Sequence, residues 1–93
     1  MSKTGAESNI PQWFVYMIRA SDDRLYTGIT TNIERRFNEH CGSLKGAKFF
    51  RGRQPVEVVY TETQPDRSSA LRRESDIKKL SRCLKLKLIN SNP

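Results

Sequence analysis

The feature that most constrains this chain is an apolar stretch that turns back on itself after a short polar segment. Residues 13–18 are apolar at every position, which predicts a strand buried on both faces. Residues 21–23 have turn chemistry, and residues 25–30 form a second β-prone run, so the two runs predict a hairpin. The chain has 93 residues, enough for one domain with one modest core. The sequence therefore predicts a single small domain that contains this hairpin.

A helix is predicted directly after the hairpin. Thr31 and Glu34 have the spacing of a capping box, in which each side chain satisfies a free backbone N–H group at the helix start. Within this helix Arg36 and His40 lie one turn apart, beside an apolar pair with the same spacing. A basic and a titratable side chain are thus expected together at the edge of a buried stripe.

The second half of the chain predicts one strand and two helices. Residues 55–61 alternate between apolar and polar positions and begin with proline, which is typical of the start of a strand. Asp66 or Ser68 is expected to cap a helix that runs to about Leu80. Residues 82–89 favour a short final helix, with a strand as the alternative. The fold class is therefore α+β, a three-stranded, mostly antiparallel sheet flanked by helices in the order β-β-α-β-α-α.

The same patterns predict the boundaries of the domain and its environment. We expect a flexible N-terminal tail at residues 1–11, the folded domain at residues 12–89 and a C-terminal tail at residues 90–93. The longest apolar run is far shorter than the roughly 20 residues that cross a bilayer. The two cysteines match no metal or disulfide spacing. A cytoplasmic protein with no membrane partner is expected, as a monomer or weak dimer.

The charge of the chain predicts a polyanionic partner. There are 17 Lys and Arg residues against 10 Asp and Glu, a formal net charge of +7. A small basic domain attracts nucleic acid, whereas the alternative is a solvated basic surface without a partner. DNA is the first expectation, and RNA is the alternative. A second group of basic residues lies in the C-terminal part of the chain: Arg72, Arg73, Lys78, Lys79, Arg82, Lys85 and Lys87.

A glycine-interleaved loop is the predicted site of phosphate contact. Glycines let backbone N–H groups approach a ligand closely, and the loop also contains Phe49 and Phe50. One of these rings is expected to anchor the loop in the core, and the other to meet a base. The predicted nucleic-acid-binding residues of the loop are Lys45, Lys48, Arg51 and Arg53.

One carboxylate breaks the apolar pattern of the second helix. Ala70, Leu71 and Ile77 are at helical spacings from Glu74, which places Glu74 on the stripe predicted to face inward. A buried carboxylate is costly unless it is paired or bound to a cation. Glu74 is therefore either a rim residue that reaches solvent or pairs with an arginine such as Arg36, or a ligand of a divalent metal ion. A single carboxylate is typical of Mg²⁺.

These residues together resemble a known family. Residues 14–16 (FVY) and 26–28 (YTG) resemble the paired motifs of the GIY-YIG nucleases. Arg36, His40 and Glu74 also match that family in order and spacing. The resemblance covers nearly all of the predicted folded part and is closest to the small, single-domain bacterial branch called UPF0213 or YhbQ-like.

The resemblance implies a divalent-metal-dependent nuclease that hydrolyses phosphodiester bonds. Glu74 would hold Mg²⁺ or Mn²⁺, and Arg36 would bind a non-bridging phosphate oxygen. Tyr16 or Tyr26 would take or relay the proton of the attacking water, and His40 would share that role or hold a tyrosine hydroxyl in place. The alternative is a nucleic-acid-binding module of the same fold without catalysis. Specificity would come from nucleic-acid structure or from a partner protein, since a domain of this size has little surface for sequence readout.

Overall fold

The computed structural model describes residues 12–42 and 45–91, which form a sheet with helices on both faces. The elements are the strands β1 (Trp13–Ala20), β2 (Leu25–Thr30) and β3 (Pro55–Gln64), the helices α1 (Ile33–Gly42), α2 (Arg67–Lys78) and α3 (Arg82–Ser91), and a short 3₁₀ helix at Lys48–Phe50. Their order confirms the predicted β-β-α-β-α-α arrangement. The predicted tail at residues 1–11 lies outside the described residues. Within the described ranges, no helix combines the length and hydropathy that a membrane crossing requires.

The sheet has the strand order β2-β1-β3 with both pairs antiparallel, so β1 is central and β2 is an edge strand. Tyr16 lies opposite Gly28, and Ile18 lies opposite Tyr26. Side chains two residues apart on a strand share a face, as do directly paired residues of neighbouring strands. The register therefore places Tyr16 and Tyr26 on the same face of the sheet.

Alternate residues of β1 pack into two different cores, one on each face of the sheet. One face, here called the α1 face, contains Tyr16, Ile18 and Ala20 with Phe50, and the helix α1 packs against it. The other, here called the α2 face, contains Val15 and Met17 with Tyr60, Ala70 and Ile77, and both α2 and α3 contribute to it. Residues 15–18 are at most 1% exposed. This burial confirms the prediction of a strand covered on both sides.

The start of α1 differs from the prediction by one residue. The helix begins at Ile33, and the side-chain oxygen of Asn32 accepts a hydrogen bond from the backbone N–H of Arg35 at 2.9 Å. Asn32 is therefore the capping residue, and the predicted capping box of Thr31 with Glu34 is wrong. The cap is one residue later because Thr30 ends β2 and its hydroxyl accepts a hydrogen bond from the backbone of Asn32 at 3.1 Å.

The second half of the chain follows the prediction with shifted boundaries. Asp66 caps α2, since its carboxylate accepts a hydrogen bond from the backbone N–H of Ser69 at 2.7 Å. The strand β3 continues to Gln64, beyond the predicted end. The last element is a helix that reaches Ser91, so Asn90 lies in this helix and not in the predicted tail. Leu71 is 39% exposed, so the inward stripe of α2 is narrower than predicted.

Candidate active site

The buried pair of Tyr16 and His40 forms the centre of the site. Tyr16 is 1% exposed and His40 is 5% exposed, and the Tyr16 hydroxyl lies 3.0 Å from His40 Nε2. On the other side of the ring, the backbone N–H of Ala47 donates to His40 Nδ1 at 3.1 Å. A ring nitrogen that accepts a hydrogen bond has no proton, so neutral His40 is protonated at Nε2. His40 therefore donates to the Tyr16 oxygen, and the Tyr16 proton remains available to another acceptor.

Burial determines the protonation state of this pair. Burial, and after it the positive charge of Arg36, lower the pKa of His40 to about 4 against the opposing effect of Glu39. Burial also raises the pKa of Tyr16 above its ordinary value. Tyr26 raises the Tyr16 pKa as well, whereas Arg36 opposes the increase through its charge and a hydrogen bond. Both groups are therefore neutral near pH 7.

Tyr26 joins this pair through a cluster of rings on the α1 face. Its ring centroid is 6.1 Å from that of Tyr16, 5.2 Å from His40 and 5.2 Å from Phe50. Phe49 also contacts Tyr26, at 5.3 Å. Phe50 is 8% exposed and anchors the loop in the core, as was predicted for one of the two phenylalanines. The structure thus brings both predicted tyrosines and the histidine into one aromatic cluster.

Gly28 allows the Tyr16 hydroxyl to approach the edge strand, a role that was not predicted from the sequence. A Cβ atom at residue 28 would lie 2.6 Å from the Tyr16 hydroxyl oxygen and 3.0 Å from a ring carbon of Tyr26. Real Cβ atoms essentially never come as close as 2.6 Å, so a side chain at residue 28 would displace the Tyr16 hydroxyl and press against the Tyr26 ring. A glycine inside a strand pattern often marks such a close approach. That signal was present in the sequence.

Arg36 is held in place next to the tyrosine pair. Its Nη1 donates to a carboxylate oxygen of Glu39 at 2.8 Å and to the backbone oxygen of Lys45 at 2.7 Å. Its side chain is 25% exposed, so part of it reaches the surface. The hydrogen bond from Arg36 also lowers the pKa of Glu39, which is ionised at neutral pH. Glu39, absent from the predicted site, is thus the residue that orients the arginine.

Glu74 lies in a different layer from the other four predicted residues. Its helix α2 packs against β1 and β2, and both Ala70 and Ile77 of that helix are buried on the α2 face. The Glu74 carboxylate is 18% exposed and pairs with Lys78 at 3.3 Å. The suggested pair with Arg36 is not formed, because Arg36 pairs with Glu39. Arg36 and His40 therefore belong to a helix on one face and Glu74 to a helix on the other, while Tyr16 and Tyr26 lie on strands of the sheet between them.

The donor set around Glu74 fits a metal ion that is bound by one protein ligand. No group of three or more His, Cys, Asp or Glu residues within residues 12–42 and 45–91 could hold a metal ion. A lone carboxylate nevertheless suits Mg²⁺, which retains several waters and takes phosphate oxygens as further ligands. The hydroxyl of Thr27 is buried without a partner among the described residues, and its register with Met17 places it on the α2 face. The residues present therefore fit a sparsely coordinated Mg²⁺ or Mn²⁺ ion.

The predicted phosphate loop divides into exposed and structural residues. Lys45, Lys48 and Arg51 are exposed. Arg53, in contrast, donates to a carboxylate oxygen of Asp22 at 2.8 Å and to the backbone oxygen of Phe49 at 2.7 Å. Its guanidinium also lies over the Phe49 ring, 4.6 Å from the centroid. Arg53 thus joins the loop to the hairpin turn, and this role was not predicted.

Known proteins resemble this chain over nearly its whole length. The sequence profile of the GIY-YIG catalytic domain matches residues 12–87. A UPF0213 protein of Desulfotalea psychrophila is 51% identical over 86 residues, which cover 92% of this chain and 78% of the relative. The UPF0213 protein YhbQ of Escherichia coli K12 is 47% identical over 77 residues, covering 83% of this chain and 76% of the relative.

A solved structure supports the same relationship. The solution NMR structure of a UPF0213 protein from Bacillus halodurans aligns with a TM-score of 0.54 and 40% sequence identity. The alignment covers 85% of this chain and 83% of that protein. Fold, motif residues and relatives agree: the chain belongs to the GIY-YIG nuclease family, within its UPF0213 group.

Proposed function

We propose that this protein is a divalent-metal-dependent nuclease that hydrolyses phosphodiester bonds of DNA. The main support is the buried hydrogen bond between Tyr16 and His40 at 3.0 Å, with Arg36 beside it. Burying two titratable side chains is costly, and packing alone does not require it. Such an arrangement is typical of a site at which protons move.

Arg36 is proposed to bind the scissile phosphate. Its contacts to Glu39 and to the Lys45 backbone both use Nη1, and Arg36 also makes a hydrogen bond to Tyr16. A guanidinium has five N–H donors, and its planar fork is suited to binding phosphate oxygens. The fixed contacts orient the arginine in advance, so it stabilises charge on the phosphorane at little cost in reorganisation.

Tyr16 and Tyr26 are proposed to move the proton of the attacking water. Because burial raises its pKa, Tyr16 is a neutral phenol near pH 7 and cannot serve as a preformed base. It can relay a proton: its oxygen receives the proton of the attacking water while its own proton passes to an oxygen of the bound phosphate. Both ring nitrogens of His40 are engaged, so His40 is proposed to position the Tyr16 hydroxyl and to stabilise negative charge there. Tyr26 is half-buried beside Tyr16 and is the other candidate for the base.

Glu74 is proposed to hold the metal ion. When bound, a divalent ion polarises the phosphate and neutralises the leaving oxygen. The Glu74 side chain is partly exposed and is paired with a lysine on the surface of the same helix. An ion pair of this kind is weak, so a divalent cation can replace the lysine.

The same ion pair also favours a second candidate, a nucleic-acid-binding module without catalysis. In that case Glu74 and Lys78 would only stabilise α2 as an i,i+4 pair, worth a few tenths of a kcal/mol. The raised pKa of Tyr16 would then reflect a packed aromatic residue.

A cleavage assay tests the proposal. Single-stranded, duplex and branched DNA and RNA are incubated with the protein, with and without Mg²⁺ or Mn²⁺. We expect metal-dependent cleavage that Glu74→Ala and Arg36→Ala each reduce by about a hundredfold or more. The matched controls are Glu57→Ala and Arg72→Ala, which alter exposed residues outside the site.

Two results would contradict the proposal. If the wild type binds nucleic acid and never cleaves it, the protein is a binding module. If Glu74→Ala cleaves as well as the wild type, the metal assignment is wrong.

A further inference from the structure

We infer that the nucleic-acid strand runs along the outer edge of β2, between two basic clefts at the two ends of this strand. The inference rests on the proposed function for its ligand and adds the path that the ligand takes. It also assigns a binding role to basic residues of α2 and α3, which lie outside the predicted phosphate loop.

The first cleft lies at the C-terminal end of β2 and has a volume of about 330 Å³. Trp13 and Ile29 line it together with Arg35, Arg36 and Arg67. Arg36 is the proposed phosphate ligand of the active site, so this cleft is continuous with the site. Arg67, at the start of α2, lies 5.9 Å from the centroid of the Trp13 ring.

The second cleft lies at the N-terminal end of β2 and has a volume of about 220 Å³. Leu25 and Phe49 line it together with Arg24, Arg82 and Lys85. Arg24 is highly exposed, and its nearest carboxylate oxygen is 3.6 Å away, a distance typical of a weak surface pair. Arg82 and Lys85 belong to the first turn of α3.

The catalytic tyrosines lie between these two clefts. Residue 25 lines one cleft and residue 29 the other, while Tyr26 and Gly28 lie between them on the strand. The six residues of β2 span about 17 Å from first to last Cα atom, because a strand rises about 3.4 Å per residue. Measured along the axis of a duplex, this length corresponds to about five base-pair steps, because each strand carries one phosphate per about 3.4 Å of axis. A bound strand would thus pass Tyr26 and Gly28, which lie next to the Tyr16 hydroxyl, with contacts on both sides.

The charge of the clefts favours a polyanion. Among the described residues that line the two clefts there is no carboxylate. In contrast, a cleft along α1 includes both Glu34 and Glu39 with a single arginine. Each of the two clefts at β2 also combines an aromatic ring with two or more cations. Grooves that bind nucleic-acid strands combine stacking rings and cations in this way.

The test measures binding without cleavage, in EDTA, by fluorescence anisotropy of a labelled single-stranded oligonucleotide over a range of salt concentrations. The double variant Arg82→Ala/Lys85→Ala removes two cations from the second cleft. Arg72→Ala/Lys87→Ala removes the same residue types from exposed positions outside both clefts and is the matched control. Both variants change the net charge equally.

The expected result is a change in salt dependence. For single strands, log K falls with log salt by about 0.7 per phosphate contact. We expect the slope to decrease by about 1.4 in the cleft variant and to stay within error of the wild type in the control. Arg67→Ala, at the other cleft, is expected to decrease the slope by about 0.7. Equal decreases of the salt slope in the cleft and control variants would overturn the inference, because they would indicate binding by a diffuse basic surface.

Amide chemical shifts provide a second measurement that does not depend on a variant. Addition of the oligonucleotide should shift the amide signals of residues 25–30 and of residues 82–85. Shifts confined to Lys48, Arg51 and their neighbours would contradict the path along β2. The cleavage assay separates the two proposals. If the wild type cleaves but the cleft variants keep the wild-type salt slope, only the path along β2 is overturned. If the slope decreases in the cleft variants but the wild type does not cleave, only the proposed nuclease activity is overturned.

Discussion

The two faces of the sheet are built from alternate residues of the same strand, yet they differ in chemistry. On the α1 face, the Tyr16 oxygen accepts a hydrogen bond from His40 within a buried cluster that also includes Arg36. On the α2 face, Val15 and Met17 pack against Ala70 and Ile77, all fully buried. Buried polar groups cost free energy unless they are fully paired, whereas apolar burial stabilises directly. We therefore expect stability to come mainly from the α2 face and proton chemistry from the α1 face.

The largest expected effect concerns the α2 face. Ile77→Ala should lower the free energy of unfolding by about 3 kcal/mol, because it leaves a cavity at a fully buried side chain. Urea denaturation measures this loss, and Leu71→Ala is the control, since Leu71 is 39% exposed on the same helix. Cleavage per folded molecule should stay close to that of the wild type. A folded variant that has lost cleavage would show that the two faces are coupled through α2.

The second largest expected effect is a loss of stability at low pH, caused by the protonation of His40. Because the pKa of His40 falls from 6.5 to about 4 on folding, the unfolded chain binds more protons than the native one between these values. The contribution of neutral His40 to the free energy of unfolding should therefore be fully present above pH 6.5. It should decrease as the pH falls toward 4. Between pH 7.5 and 5 the expected loss is about 2 kcal/mol.

His40 is the single histidine of the chain, so its titration can be followed directly. NMR of the imidazole protons should give a midpoint near pH 4, and urea denaturation at pH 7.5 and 5 should give the change in stability. A midpoint near 6.5 would mean that the ring is solvated in solution and that the α1 face is not a closed cluster.

The smallest effect on stability is expected for a substitution in the edge strand β2. The same substitution should also reduce cleavage. Gly28→Ala places a Cβ atom 2.6 Å from the Tyr16 hydroxyl, so Tyr16 or β2 must move. Overpacking of this kind costs about 1.5 kcal/mol, and the displaced hydroxyl should reduce cleavage at least tenfold. Gly42→Ala is the control, because nothing lies within 4 Å of a Cβ atom at that position. Unchanged cleavage by Gly28→Ala would argue against Tyr16 as a participant in the reaction.

Short-range patterns predicted much of this molecule. The hairpin, the third strand and the cap at Asp66 follow from neighbouring residues, since turns, alternation and caps act over a few positions. The i,i+4 spacing of Arg36 and His40 likewise predicted that both lie together on one side of α1, and the structure places that side next to Tyr16. Even here, Thr31 was predicted to cap α1 and the structure shows Asn32, one residue later, because the end of β2 determines where α1 begins.

The sequence by itself determined the elements, their order and the identity of the residues that can perform chemistry, because those properties are local. Only the tertiary structure decided which face each residue occupies and what it contacts. Arg53 is bound to Asp22, Arg36 is oriented by Glu39, and Glu74 lies in the layer opposite His40. These arrangements depend on strand register and on packing between distant segments, and a linear pattern does not specify either. The edge of β2, where the two layers meet, is therefore visible only in the folded chain.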